Sequence, residues 1–260
     1  MAGVTYPNFA GKHAEEALYS PSDFIAYLHR IGAGPEATPA GVIMCYQRGL
    51  YDQVLRMEGV ERSASRRGYL GSLVPLPSTG GTVGLLGRFG IGAPAAAAAL
   101  EELAALGTKT VASIGTAGSL QHSLKPGDLV LCEAAIRDEG VSHHYLPPGR
   151  LATASESLTA ELDAALSGAG HQTGISWTID APYRETVAEA RHYQAEGVLC
   201  VEMEAAALFA VASVRGVNLA SAFVISDSLA DLEWNPQFHS DEVREGLDTL
   251  YEAALTILRR

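Results

Sequence analysis

The chain has 260 residues, of which 47% are hydrophobic and 18% are charged. This length is enough for one large α/β domain with a substantial core, and a second domain is not required. Acidic residues outnumber basic ones by 30 to 18, so the formal net charge is -12. Because nucleic-acid-binding proteins normally carry a basic surface, the charge argues against a nucleic acid and favours a small molecule as the partner.

The cysteines indicate the compartment of the protein. Cys45, Cys132 and Cys200 all lie in apolar, strand-like segments, and no CxxC spacing indicates a zinc site or a disulfide framework. We therefore expect reduced core side chains in a cytoplasmic protein. The sequence shows neither an apolar segment of transmembrane length nor a signal peptide, so we expect no membrane partner. His143 and His144 lack further clustered ligands, so no metal site is expected.

The first part of the chain is predicted to contain an N-terminal arm, a helix and the first strands of a sheet. Residues 1–39 are expected to form the arm and the helix, within the same domain as residues 40–260. The start signal of that helix is Ser20-Pro21-Ser22-Asp23. In chain order, the next predicted elements are strands at 40–46, 69–77 and 82–86, a glycine-rich loop at 87–92, and a helix from Pro94 to about residue 106.

The second part of the chain continues the alternation of strands and helices. In chain order, the predicted elements are strands at 108–114 and 127–135, a helix at 155–168 capped by Ser155, a polar and aromatic loop at 178–186, an apolar strand ending at Val201, a helix at 205–214, a strand at 218–225, and a C-terminal helix that begins at Ser240 or Asp241. Because helices separate some strands and others adjoin directly, the pattern predicts a single α/β domain. Its mixed sheet is flanked by helices.

Three short motifs each follow an apolar strand directly. They are Gly115-Thr116-Ala117-Gly118, Glu202-Met203-Glu204 and Ser226-Asp227. In an open α/β sheet, ligands bind outside the carboxyl ends of the strands. We therefore expect the three motifs to lie at one edge of the sheet and to form a single site.

The Glu202-Met203-Glu204 motif places two carboxylates at a junction between a strand and a helix. Burying such charges without partners is costly, so they are expected at the mouth of a cleft or in ion pairs. Two adjacent acceptors suit a polyol such as ribose. The alternative is a helix N-terminus that favours negative charge, but two carboxylates with alanines packed behind them favour a site.

Two glycine-rich segments are candidates for holding an anion. Glycines after a strand let the backbone turn tightly, and the N–H groups of such a turn, with the Thr116 hydroxyl, suit an anion. The segment at 87–92 carries its own cation, Arg88. Most such loops are structural, and neither spacing matches the dinucleotide or the Walker pattern.

Asp227 is a candidate acid. A carboxyl group placed just after a buried strand has a raised pKa and is able to donate a proton. The alternative is a turn aspartate that binds its own backbone. The expected proximity of Glu202 and Glu204 favours the catalytic interpretation.

Six short motifs occur in a distinctive order over most of the chain. They are Gly90-Ile91-Gly92-Ala93-Pro94 with Glu101-Glu102-Leu103, Ile114-Gly115-Thr116-Ala117-Gly118, Pro126-Gly127-Asp128-Leu129-Val130, Arg137-Asp138-Glu139-Gly140, Val201-Glu202-Met203-Glu204-Ala205-Ala206 and Ser226-Asp227. Together they resemble the nucleoside phosphorylase superfamily, which includes purine nucleoside phosphorylases, uridine phosphorylases and nucleosidases. The resemblance implies a twisted mixed sheet partly closed into a barrel, in a single domain.

The same resemblance implies a reaction and a set of roles. Members of the family break the N-glycosidic bond of a nucleoside with phosphate or, in some branches, with water. By resemblance, Glu204 binds the ribose hydroxyls, Met203 packs against the sugar, and Glu202 lies beside them. Thr116 and Gly115 would face the phosphate. Phosphate is then the co-substrate, and no cofactor is implied.

The resemblance also indicates which base is bound. In the purine-cleaving branch, a Ser-Asp pair at the position of Ser226 and Asp227 protonates N7 of the leaving base. Uridine phosphorylases hold uracil with a Gln-x-Arg pair, whereas here the segment is Asp180-Ala181-Pro182-Tyr183-Arg184. The sequence therefore favours a purine, with Tyr183 lining the base pocket and Arg184 closing it.

Two arginines that phosphorylases normally carry have changed in this chain. Ser113 stands where an arginine precedes the glycine segment, and Cys45-Tyr46-Gln47-Arg48 replaces a Gly-Asp-Pro loop followed by an arginine. Phosphate normally needs such charge-assisted bonds. The candidate replacements are Arg48, Arg66, Arg67 and Arg88, of which Arg48 is the best placed. The nucleosidase branch usually has a glutamate after the first strand, and Gln47 is not an equivalent base.

The sequence therefore predicts a nucleoside phosphorylase that favours purines. Three alternatives stay open: a nucleosidase that uses water, a uridine phosphorylase, and a nucleoside-binding protein without turnover. The resemblance further implies a homo-oligomer built from dimers.

Overall fold

Ten strands and seven α-helices alternate along the part of the chain that the computed structural model describes, residues 6–34, 38–61 and 71–259. The strands are β1 Gly41–Cys45, β2 Ser72–Pro75, β3 Val83–Gly87, β4 Thr110–Ser119, β5 Leu129–Asp138, β6 Leu151–Thr153, β7 Gln172–Ile179, β8 Cys200–Glu202, β9 Asn218–Ser228 and β10 Asn235–Pro236. The α-helices are α1 Pro21–Arg30, α2 Arg48–Met57, α3 Ala93–Ala105, α4 Glu156–Leu166, α5 Val187–Ala195, α6 Ala205–Arg215 and α7 Asp241–Leu258.

The strands form one mixed sheet that closes on itself. Their order is β10-β9-β5-β7-β8-β4-β1-β3-β2, with β6 beside β5. Because β4 also pairs with β9, the strands β9, β5, β7, β8 and β4 form a closed ring of five. The strands β1, β3 and β2 extend outward from β4. The predicted single α/β domain, with a twisted mixed sheet partly closed into a barrel, is confirmed.

Helices cover both faces of the sheet. The alanine-rich helices α3 and α6 pack against each other on one face, where their small side chains allow close approach. Helices α2, α4 and α7 contribute to the core on the other face. The predicted helix start at Ser20 is confirmed, because Ser20 and Asp23 form a capping box with both hydrogen bonds present.

The predicted ends of two strands are wrong. The segment Gly115-Thr116-Ala117-Gly118 lies inside β4, and Ser226-Asp227 lies inside β9. The closed ring supplies the reason, because Gly118 pairs with Asp227 on one side and with Val201 on the other. The pairing of β4 with β9 shifts register between Ala117 and Gly118, as in a β-bulge.

The glycines of β4 allow side chains to approach the strand closely. A Cβ atom on Gly118 would lie 3.0 Å from Asp227 Oδ2, and a Cβ on Gly115 would lie 3.1 Å from the Tyr46 ring. Neither glycine has a positive φ. These positions therefore need glycine for space and not for a tight turn, which corrects the interpretation of the segment as a turning loop.

Other expectations also differ from the structure. The predicted loop at 178–186 begins too early, because Thr178 and Ile179 belong to β7. Ser155 stands before α4, but its hydroxyl accepts the N–H of Leu219 and makes no cap bond. Helix α2 was not predicted. The start of the predicted strand at 69–77 lies outside the described residues.

Candidate active site

A cavity of about 720 Å³ opens beside the closed ring of strands. It brings together the three motifs that follow or end β4, β8 and β9. The predicted site residues that line it are Gly115, Thr116, Tyr183, Glu202, Met203, Glu204, Ser226 and Asp227. The expectation that these motifs meet in one place is therefore confirmed, although two of them lie within strands.

A second cavity of about 800 Å³ adjoins the first. The two share Gln47, Thr116 and Phe238, so the second cavity reaches the main one at Thr116. Arg48 lines the second cavity, as does Arg244 at the start of α7. Nothing local in the sequence singles out Arg244, because only the packing of α7 beside α2 places it there.

Glu204 lies at the junction between β8 and α6 and is 9% exposed. Its Oε1 accepts the backbone N–H of Gly92 at 2.6 Å, which ties the segment before α3 to the site. Burial, followed by the charge of Glu202, raises the pKa of Glu204 to about 8, against the opposing effect of the Gly92 N–H. The backbone N–H groups of Gly92 and Met203 both favour the ionised form of Glu204. Two donors leave part of the accepting capacity of this carboxylate for a ligand.

Glu202 has a different environment from Glu204. Its Oε1 accepts the hydroxyls of Ser176 and Thr178, and its Oε2 accepts the backbone N–H groups of Glu204 and Ala205, each at 2.7 Å. These four donors occupy the lone pairs of both oxygens. Burial raises the pKa of this carboxyl group, and the donors counteract the rise. The Glu202 carboxylate therefore caps the N-terminus of α6 and orients the chain at Glu204.

Asp227 is 8% exposed and lies against the backbone at Gly118. Its Oδ1 accepts the Ser226 hydroxyl at 2.8 Å, and its Oδ2 accepts Nε1–H of Trp234 at 3.1 Å. Burial raises the pKa of Asp227, while Ser226 and Trp234 favour its ionised form. The raised pKa agrees with the sequence argument, but the hydrogen bond from Trp234 was not predicted.

Among the further residues that line the main cavity, three carry a charge or a large exposed ring that the sequence did not single out. Glu185 lies just before α5, and Trp234 and Phe238 come from the segment between β9 and α7. The rings of Trp234 and Phe238 lie 6.2 Å apart, centroid to centroid. Both are large exposed apolar side chains. The sequence signal that could have identified this segment is the pair of aromatic residues that shortly follows Ser226-Asp227.

The Thr116 hydroxyl is available to a ligand. Its oxygen accepts Nε2–H of Gln47 at 3.1 Å, and no acceptor for its own hydrogen is found among the described residues. Nearby, the Tyr46 hydroxyl lies 3.0 Å from Ser113 Oγ. The hydroxyls of Tyr46 and Ser113 thus hydrogen-bond to each other at the position where an arginine was expected.

The remaining predicted residues lie away from the main cavity or at its edge. Arg88 donates to both carboxylate oxygens of Asp52 and packs over the Tyr51 ring, and it lines neither cavity. Arg184 is exposed and does not line the main cavity, whereas Tyr183 is fully exposed at its rim. Arg66 and Arg67 lie outside the described residues, so their prediction is untested.

Neither a metal site nor a membrane span is found in the part of the chain that the structure describes. No group of three or more His, Cys, Asp or Glu side chains is arranged there to hold a metal ion. Of the helices in 6–34, 38–61 and 71–259, none combines the length and apolar character needed to cross a membrane.

A family comparison agrees with this geometry. Residues 50–260 match the family described as the phosphorylase superfamily. The chain belongs to the phosphorylase superfamily. Tyr46, Gln47 and Arg48, where the chain departs from the superfamily pattern, lie just before the matched residues.

Relatives within the superfamily differ in the base that their names indicate. A guanosine phosphorylase of Halorubrum lacusprofundi is 29% identical over 170 residues, which is 65% of this chain and 70% of that protein. A uridine phosphorylase of Escherichia coli is 34% identical over 145 residues, which is 50% of this chain and 57% of that protein. The chain therefore spans little more than half the length of the uridine phosphorylases that it matches.

Solved structures of the superfamily have the same fold. Uridine phosphorylase of Vibrio fischeri ES114 superposes with a TM-score of 0.69 at 25% identity, covering 85% of this chain and 91% of that one. Purine nucleoside phosphorylase of Toxoplasma gondii, in complex with immucillin-H, gives a TM-score of 0.71 at 22% identity, covering 85% and 90%. The two structures confirm the fold and leave the choice of base open.

Proposed function

We propose that the protein is a nucleoside phosphorylase that favours purines and converts a nucleoside and phosphate into the free base and ribose 1-phosphate. One observation carries this proposal: Glu204, Thr116 and Asp227 line a single cavity. They supply a carboxylate for the sugar, a hydroxyl donor for the attacking anion and an acid for the leaving base. Membership of the superfamily supports the same reaction.

The sugar would bind at the junction between β8 and α6. The remaining accepting capacity of the Glu204 carboxylate is proposed to bind the ribose hydroxyls, and Met203 is proposed to pack against the sugar. We assign Glu202 to positioning, because its oxygens are already occupied by four protein donors. Hydroxyl donors of the bound sugar would favour the ionised form of Glu204 against the effect of burial. A carboxylate fixed beside the ribosyl cation would then stabilise the transition state more than the substrate.

Phosphate would bind where the two cavities meet. The Thr116 hydroxyl and the Arg48 guanidinium are the proposed donors, with Gly115 beside them and Arg244 as a second cation. We leave Arg88 out of this set because Asp52 already binds its guanidinium. The cations Arg48 and Arg244, which line the second cavity, would replace the arginine that is missing at Ser113.

The base would bind between the segment before α5 and the segment after β9. Asp227, whose oxygens accept hydrogen bonds from Ser226 and Trp234, is the proposed proton donor to N7. Tyr183 and Trp234 are proposed to contact the base ring, and Arg184 is proposed to approach when a base is bound. Because a pyrimidine has no N7, this arrangement favours a purine nucleoside.

Base release with and without phosphate tests the proposal. The protein is incubated with inosine, guanosine, adenosine and uridine, and free base is measured by chromatography. We expect purine release that depends on phosphate. The Arg48→Met variant should raise KM for phosphate by about tenfold or more, because it removes one charge-assisted hydrogen bond. The control variant Arg191→Met, at an exposed position, should leave KM unchanged. Purine release that is independent of phosphate would contradict phosphorolysis.

Hydrolysis is the second candidate reaction, and one observation favours it. Gln47 Oε1 is buried and has no hydrogen-bond partner among the described residues, although it borders the Thr116 hydroxyl. A free acceptor at this position suits a water molecule as well as a protonated phosphate oxygen.

Uridine cleavage in the same assay would support the uridine phosphorylase alternative, and saturable binding without release would support a binding protein.

We also propose a homo-oligomer built from dimers and a cytoplasmic location. The family resemblance supports the assembly, and the free, buried thiols of Cys45, Cys132 and Cys200 support a reducing compartment. Light scattering coupled to size-exclusion chromatography should give a mass of at least two chains. A monomeric mass at micromolar concentration would rule out the assembly.

A further inference from the structure

Glu185 is an unpaired carboxyl group in the main cavity. It lines the cavity together with Asp227 and is half-buried. No hydrogen-bond or ion-pair partner for its side chain is found among the described residues. Its backbone is held from both sides, by the turn at Pro182–Arg184 and by the capping box of Thr186 and Glu189 at the start of α5. A fixed carboxyl group without a partner in a ligand cavity is costly unless a ligand or a proton satisfies it.

Glu185 and Asp227, two of the four carboxyl groups that line the cavity, differ in their partners. Both oxygens of Asp227 accept hydrogen bonds, from Ser226 and from Trp234, and such donors favour the ionised form. Glu185 has no such donors. Of the two groups, Glu185 is therefore the one that more readily keeps a proton.

The charges around Glu185 agree with this distribution. Burial raises the pKa of Glu185 to about 7, and the charges of Asp227 on β9 and Glu189 on α5 add to the rise. The one cation adjacent to it in sequence, Arg184, is exposed. Two interacting carboxyl groups titrate as a pair, so the pair carries one proton below about pH 7 and loses it as pH rises through that value.

We propose that Glu185 is a second acid of the site, holding the proton that the Glu185–Asp227 pair delivers to N7 of the leaving purine. This inference rests on the proposed function. As the bond between C1′ and N9 breaks, its electron pair stays with the base and the proton moves from the pair to N7. A phosphate oxygen forms the new bond to C1′, and the base departs neutral. The pair then recovers a proton from water at the open side of the cavity.

Comparing inosine, whose base needs a proton to leave, with 7-methylinosine, whose base does not, distinguishes an acid role of Glu185 from a structural role. In 7-methylinosine, N7 already carries a methyl group and a positive charge, so its departure needs no acid. We expect Glu185→Gln to lower kcat for inosine by about 100-fold or more, and kcat for 7-methylinosine by no more than about threefold. Asp227→Asn should show the same selectivity. The matched control is Glu233→Gln, an exposed residue that does not line the cavity.

The pH dependence of inosine turnover gives an independent readout. The wild type should lose kcat as pH rises through about 7, because the pair loses its proton. In Glu185→Gln this limb should move to lower pH, since Asp227 no longer faces a second negative charge. A purely structural role would lower kcat without moving the limb.

Each outcome of these experiments bears on the proposal. Equal losses with inosine and 7-methylinosine, or no loss with either, would overturn the role of Glu185 as an acid. An unmoved pH limb would overturn it as well. Release of base without phosphate would refute phosphorolysis alone and leave the acid role standing. No release of base from the wild type would refute both.

Discussion

At the scale of single residues, the site depends on which carboxyl oxygens the protein leaves free. Glu202 and Glu204 stand two positions apart, yet Glu202 accepts four protein hydrogen bonds and Glu204 Oε1 accepts one from Gly92. A carboxylate accepts up to about four hydrogen bonds, so Glu202 has no capacity left for a sugar. The difference supports the separate tasks that we propose for the two residues, positioning for Glu202 and sugar binding for Glu204.

The Glu204→Gln variant tests the binding task. It should lower kcat/KM for inosine by about 100-fold, because a charge-assisted hydrogen bond to the sugar contributes about 1.5–3 kcal/mol. The loss should be smaller with 2′,3′-dideoxyinosine, which lacks the hydroxyls that Glu204 would accept. Steady-state kinetics on both substrates measures the effect, with the exposed Glu133→Gln as the control. An equal loss on both substrates would remove Glu204 from hydroxyl binding.

The Gly118→Ala variant tests the close approach of Asp227 to β4. The added Cβ would lie 3.0 Å from Asp227 Oδ2 and 3.2 Å from Val201 Cγ1, so the carboxyl group must shift. We expect kcat to fall by about tenfold or more and stability to fall by about 1–3 kcal/mol. Gly168→Ala, where nothing lies within 4 Å, is the control in kinetics and in urea unfolding. Wild-type kinetics in Gly118→Ala would show that the Asp227 position is not critical.

At the scale of elements, the closed ring of strands decides where the motifs lie. Strand β4 pairs with β9, and its end also pairs with β8, so the glycine segment remains in the sheet. Strand β7 then places Ser176 and Thr178 against Glu202. The N-terminus of α6 is therefore fixed by a neighbouring strand as well as by its own residues.

The Thr178→Val variant tests this support. It removes the hydroxyl that donates to Glu202 and that accepts the N–H of Ala206. Leaving these buried groups without a partner should cost about 1–3 kcal/mol of stability. Urea unfolding measures the loss, and Thr173→Val, on an exposed position of the same strand, should stay within about 0.5 kcal/mol of the wild type. Equal stability of the two variants would show that the Thr178 hydroxyl does not stabilise Glu202 and the start of α6.

At the scale of the whole molecule, the cavity concentrates acids in an already acidic protein. Burial is the largest cause that raises the pKa of four side chains of the cavity, Glu185, Glu202, Glu204 and Asp227. Neighbouring groups add to the rise or oppose it. Ionising these groups therefore costs the folded state free energy. A bound nucleoside would offset part of this cost through its hydroxyl and N–H donors.

The stability of the empty protein should therefore depend on pH in a defined direction. The pKa of Glu204 is about 8 in the folded state, against 4.5 as its ordinary value, and that of Glu185 is about 7. Between the ordinary pKa of each group and its raised value, the folded state holds more protons than the unfolded state. The free energy of unfolding therefore falls as pH rises. Urea unfolding between about pH 5 and pH 9 should show the decline, and Glu204→Gln should flatten it. A flat profile in the wild type would contradict the raised pKa values.

Several features of the fold and the site were predictable because they depend on local patterns. The apolar strands, the capping signal at Ser20 and the alanine-rich helix after Pro94 follow from side-chain periodicity and capping chemistry. The site motifs were identifiable because charged residues directly after an apolar strand have few structural uses. Strand β7 was not identified, since its first residues, Gln172 and Thr173, are polar and give no apolar alternation.

The sequence by itself determined the superfamily, the α/β class and the three motifs that meet in the cavity, because each is a short pattern of residue types. Only the tertiary structure decided which glutamate has its accepting capacity filled by the protein, that Trp234 binds Asp227, and that Glu185 shares the cavity without a partner among the described residues. Arg48 and Arg244 likewise line one cavity only because α2 and α7 pack side by side. Hydrogen-bond occupancy and burial depend on atoms brought together from distant parts of the chain, and no local pattern records them.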